Sequence, residues 1–119
     1  MSGINMSDRA RDPSDLSRYF VSRVNAGDLD GLVRLYEPNA IRACGEGKVA
    51  IGSLAIRAFY QGLLATRPQF TPGHQAPPLI NGDLALTSTR LTNGTVTAEV
   101  ARRQPDGSWL WIIDQPVID

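Results

Sequence analysis

The chain has 119 residues, 42% hydrophobic and 20% charged, with 12 basic and 12 acidic side chains that cancel. That length suits one domain with a core that needs no metal or disulfide support. Balanced charge argues against nucleic acid, which needs a concentrated basic surface, and against a charged membrane surface.

Residues 1–12 are polar and carry no apolar run, so they read as a flexible N-terminal tail rather than a signal peptide. No stretch approaches the ~20 apolar residues of a membrane span. The expected location is cytoplasmic, and residues 13–119 are expected to form the single domain. Cys44 is the only cysteine, which excludes an internal disulfide and a cysteine zinc cluster.

Pro13-Ser14-Asp15 marks a helix start, with Ser14 as candidate cap. Leu16, Tyr19, Phe20 and Val24 recur at helical spacing, so one face is buried. Gly27 ends that helix. Asp28 can cap a second, with Leu29, Leu32, Val33 and Tyr36 inward, until Pro38-Asn39 breaks it. Strands are predicted over 40–44 and 48–51, joined by the Gly45-Glu46-Gly47 turn. Ser53 can cap a third helix whose inner positions are Ile56, Phe59, Tyr60 and Leu63, closed by Arg67-Pro68.

After Pro68 the pattern becomes extended. Residues 70–80 carry Pro72, Pro77 and Pro78 and read as an irregular or edge strand. Strands follow over 84–91, 95–104 and 108–114, separated by the Asn93-Gly94 and Pro105-Asp106-Gly107 turns. Helices first and antiparallel strands afterwards define an α+β domain.

Asn25-Ala26-Gly27-Asp28, its continuation to Tyr36, and Ala55-Ile56-Arg57-Ala58-Phe59-Tyr60 resemble the ketosteroid isomerases of the NTF2-like, or SnoaL-like, superfamily. Gln104-Pro105-Asp106-Gly107-Ser108-Trp109 and Ile113-Asp114-Gln115-Pro116 resemble its SnoaL-like members. The resemblance implies a cone: three N-terminal helices on a curved, mainly antiparallel sheet around one pocket. It also implies a homodimer through the convex sheet face. The isomerase mechanism uses a carboxylate base, with a tyrosine and a protonated acid as donors to the enolate oxygen. Counted from Asn25, the tyrosine position falls on Phe20, with Tyr19 beside it. The base position falls on Cys44 or Ala43, and the second acid on Glu99. Tyr36 and Tyr60 match positions that support the donor network. With one group of three matched, standard steroid isomerisation is not expected.

Three side chains are candidates for acid–base work. On the family's register Glu99, mid-strand between Ala98 and Val100, faces the pocket. Asp114 ends an apolar strand. His74 is the one residue whose ordinary titration falls near neutral pH. Strict alternation puts Leu110, Ile112 and Asp114 on one face and Trp109, Trp111 and Ile113 on the other. The resemblance turns the first set to the pocket and leaves the tryptophans to a dimer interface. Tyr19, Phe20, Tyr36, Cys44, Phe59 and Tyr60 complete the expected ligand contacts. The expected ligand is a small apolar or carbonyl-bearing molecule. No metal or other cofactor is expected, because no ligand spacing is present. The alternative is a non-catalytic dimerising module.

Overall fold

The computed structural model describes residues 8–118. Helix α1 spans Asp15–Ala26 and ends at Gly27, whose φ of 69° is the left-handed turn that glycine enters without steric cost. Ser14 makes no side-chain cap. The carboxylate of Asp15 instead accepts from the backbone N–H groups of Arg11 and Asp12, at 3.1 Å each. Asp28 does cap the short helix α2, Leu29–Val33, by accepting from the Gly31 N–H at 3.0 Å. Gly31 is required there, because a Cβ would lie 2.2 Å from Asp28 Oδ2. Helix α3 covers Ser53–Leu64 and buries Ile56 and Tyr60 completely.

The strands are β1 (Tyr36–Gly45), β2 (Lys48–Ile51), β3 (His74–Gln75), β4 (Leu79–Asn81), β5 (Leu84–Thr87), β6 (Thr89–Arg90), β7 (Val96–Arg103) and β8 (Trp109–Ile118). They form one sheet in the order β2-β1-β8-β7-β5-β4, with β6 joining β7 to β3. Every pairing is antiparallel except β1 with β8. The architecture is therefore α+β, helices first, on a mainly antiparallel sheet. Among the described residues no helix is long and apolar enough to cross a membrane. Ala10 is buried, and its carbonyl accepts from Trp109 N at 2.9 Å, so packing begins ahead of α1.

Several sequence expectations change. Tyr36 opens β1 opposite Trp111 rather than closing the second helix. Trp109 and Trp111 lie inside the protein, each 4% exposed, and form no outer face. The cause is an irregularity in β8. Ala101 pairs with Trp111 but Val100 pairs with Ile113, so Ile112 is an extra residue that shifts the alternation. Trp109, Trp111 and Asp114 all face inward as a result. Leu110 and Ile112 are only half-buried and lie outside the cavity lining, so neither is the ligand contact expected of it.

The outer face carries a cross-strand row of aliphatic side chains. Ile51, Ile41, Ile113, Val100, Leu86 and Leu79 are successive register partners across six strands. Ile51, Ile113, Leu86 and Leu79 are 64%, 48%, 47% and 69% exposed. One residue further along each central strand lies the inner row, which is polar.

Candidate active site

A cavity of about 930 Å³ lies between the helices and the inner sheet face. Phe20 and Phe59 from the helices, Cys44 and Arg42 from β1, and Trp111 from β8 form much of its wall. Glu99 and Asp114 also line it. Tyr36 and Tyr60 sit behind the wall, both buried, and are reached through Arg42 and Asp114. The lining mixes large apolar side chains with polar ones such as Gln69, Thr89, Thr97 and Gln115.

The buried charged groups of the wall lie in one row of register partners. Arg42 on β1 pairs with Asp114 on β8, Asp114 with Glu99 on β7, and Glu99 with Thr87 on β5. All four are buried, between 5% and 7% exposed. Directly opposed side chains on neighbouring strands are close enough to interact, so the two carboxyls face one environment from adjacent positions.

Their surroundings differ. Asp114 Oδ2 accepts from Tyr36 Oη at 2.5 Å and lies 3.7 Å from Arg42 Nε. Arg42 Nε donates to Tyr60 Oη at 2.9 Å, and the two phenol oxygens are 2.5 Å apart. Because Tyr60 already accepts from Arg42 and Tyr36 donates to Asp114, the shared proton runs from Tyr60 to Tyr36. The donations thus run in one direction, Arg42 to Tyr60 to Tyr36 to Asp114. Glu99 has hydroxyl partners only; Thr87 Oγ1 donates to its Oε1 at 2.7 Å.

The titration behaviour follows. Burial pushes Glu99 up to about 7, against the hydrogen bonds of Thr97 and Thr87, and the neighbouring Asp114 charge adds to the rise. Burial also raises Asp114, but Arg42 and the Tyr36 hydroxyl hold its charged form. Burial and the adjacent charges push Tyr36 well up, and burial pushes Tyr60 up to about 12, so both phenols keep their protons. Burial works against the Arg42 charge, but Tyr60, Tyr36 and Asp114 outweigh it and the guanidinium stays protonated. Burial thus raises both acids, but only Asp114 has a cation beside it, and unlike partners of this kind can divide acid and base roles.

His74 is exposed, pairs through its backbone with Arg90, and lies outside the cavity lining. It is not brought to the two acids. Tyr19 is also absent from the lining; its ring carries the guanidinium of Arg23 at 5.0 Å. Phe20 does reach the cavity, with rings of Tyr60, Phe70 and Trp111 around it at 6.2, 5.9 and 6.2 Å. Arg42, Thr87 and Thr97 were not singled out from the sequence. Alternation carries a signal for Arg42, since it shares inward parity with Ala40 and Cys44. The two threonines resemble any other strand threonine. Among the described residues no group of three or more His, Cys, Asp or Glu side chains could hold a metal.

No protein-family model matches the sequence, and no curated protein sequence matches it. Solved structures do share its shape. An NTF2-like protein with a cystatin-like fold from Novosphingobium aromaticivorans is 21% identical, with TM-score 0.60 over 84% of this chain and 75% of its own. A ketosteroid isomerase-like protein from Erwinia carotovora atroseptica is 15% identical, with TM-score 0.67 over 85% and 88%. A candidate calcium/calmodulin-dependent protein kinase type II association domain from Thiobacillus denitrificans is 13% identical, with TM-score 0.75 over 92% and 96%. The chain therefore has the NTF2-like fold. These relationships define architecture and leave chemistry to the site.

Proposed function

We propose that the cavity binds a small, largely apolar, carbonyl-bearing molecule and moves a proton on it without a cofactor, as an isomerase, hydratase or cyclase would. The observation that carries this reading is the pairing of Glu99 and Asp114 at the cavity wall in unlike environments. Asp114, backed by Arg42 and Tyr36, is the base. Glu99, buried without a cation of its own, is the acid. An open cavity favours this reading over a module whose interior is filled by side chains. Phe20 and Cys44 in the wall support the expectation that the reaction is not standard steroid isomerisation, since neither can replace a phenol donor or a carboxylate base.

The test is deuterium wash-in at the α-carbons of 4-tert-butylcyclohexanone in D2O, followed by proton NMR. Exchange faster than in protein-free buffer, lost when Glu99 and Asp114 are both changed to amides, is the expected result. Equal exchange by the native and doubly substituted proteins would sink the assignment.

The aliphatic row on the outer face supports a homodimer, as the fold resemblance implies, through side chains other than the tryptophans. An exposed apolar stripe crossing six strands is unusual for a monomer. A second copy turned about a two-fold axis presents the same uncharged row to it. A free half-buried thiol at Cys44 is compatible with the reducing cytoplasm.

A further inference from the structure

We propose that Arg42 is the residue that grips the ligand, its Nη2 donating a hydrogen bond to a neutral carbonyl oxygen. This inference rests on the cavity reading above and adds to it the electrophilic group and the ligand class.

The Arg42 side chain is 7% exposed and forms part of the cavity wall. Nε donates to Tyr60 and Nη1 donates to the Ala43 carbonyl at 2.8 Å. Nη2 makes no hydrogen bond among the described residues, and a guanidinium N–H in a cavity wall is free to meet a ligand acceptor. The group is also held in place. Its central carbon lies 4.1 Å from the Phe59 ring centroid and 4.9 Å from that of Tyr60. A fixed, permanently charged donor next to two acids needs no rearrangement to meet an oxygen.

Charge selects the ligand class. Asp114 already balances Arg42 at 3.7 Å, and Glu99 stands beside Asp114. Lys48, the other cation of the wall, is exposed in the β1–β2 hairpin, as is Glu46. A ligand carboxylate at Arg42 would set a second anion, after Asp114, against one cation. A ketone oxygen accepts the same bond without added charge. When the α-C–H bond of that ketone breaks, the proton passes to the Asp114 carboxylate. The electron pair moves to the oxygen, whose new negative charge then faces Nη2. Reprotonation at carbon returns the charge balance.

Three probes of one shape test this by calorimetry: 4-tert-butylcyclohexanone, tert-butylcyclohexane and 4-tert-butylcyclohexanecarboxylate, each against the native protein and R42Q. The expected result is ketone binding about 10- to 100-fold weaker in R42Q, the range for one charged hydrogen bond, with hydrocarbon binding unchanged. Equal weakening of ketone and hydrocarbon, or native protein preferring the carboxylate, would overturn the assignment. Failure of all three to bind the native protein overturns the cavity reading itself, and this inference with it. If R42Q does not fold, the carbonyl stretch of the 13C-labelled ketone bound to native protein decides. A frequency below that in water supports the bond; an equal or higher one refutes it.

Discussion

Changing Glu99 to Gln will remove a pH-dependent loss of stability. In the folded protein Glu99 titrates at about 7, against an ordinary value of 4.5. Between those values the folded state holds a proton that the unfolded chain has released. Unfolding then releases that proton, so rising pH favours the unfolded chain and stability declines through the interval. Below 4.5 both states are protonated and above about 7 both are ionised, so the dependence is flat on either side. The interval of about 2.5 pH units corresponds to ~3 kcal/mol. Glutamine keeps the shape and can still accept from Thr87 Oγ1, but it never ionises. The E99Q protein will therefore gain on native protein by ~3 kcal/mol between about pH 4 and pH 8. For a domain of this size that is a gap in Tm opening by roughly 10 °C. Urea and thermal unfolding of both proteins at one fixed concentration measure it, and the difference cancels carboxyls common to both. A gap that stays constant with pH, or opens toward low pH, would refute the burial argument.

Tyr36→Phe deletes the donor to Asp114 and the acceptor for Tyr60. Urea unfolding should show a loss of ~1–3 kcal/mol, more than for a surface Tyr→Phe change. Thr87→Val removes a hydroxyl that holds down the Glu99 titration, so NMR should place the Glu99 midpoint higher than in the native protein. Ile113→Lys sets a charge in the middle of the outer aliphatic row, and light scattering should report a monomer where the native protein is a dimer. A native monomer, or an intact dimer in the variant, would count against that interface.

Much of this architecture is written in local sequence. Gly27, the Asp28 cap and the Gly45-Glu46-Gly47 turn each act within a few residues; the first helix and the hairpin lie where the pattern puts them, and the second helix starts at its cap but stops at Val33, short of Tyr36. Glu99 and Asp114 stand out because acids are rare on inward strand positions. Their partnership is not local: it depends on the register of β7 against β8, which is fixed by pairing across the sheet. The same register misplaces Trp109, Trp111, Leu110 and Ile112 in a reading by strict alternation, since one extra residue at Ile112 reverses the faces and nothing in Trp-Ile-Ile-Asp marks it. Tyr36 fits the helical spacing of Leu29, Leu32 and Val33 as well as it fits a strand. Its pairing with Trp111 decides between them. Alternation turns Arg42 inward, but its role shows only when Tyr60, which is 18 positions away, and Asp114 are brought around it.

The central claim is that two adjacent buried carboxyls differ in acidity, Asp114 ionising before Glu99 because it has Arg42 and the Tyr36 hydroxyl beside it. Side-chain carboxyl 13C NMR titration, assigned through E99Q and D114N, reads this directly. The account predicts a Glu99 midpoint near 7 and an Asp114 that ionises first as pH rises. Both groups titrating as ordinary exposed carboxylates, or Glu99 ionising before Asp114, would contradict it.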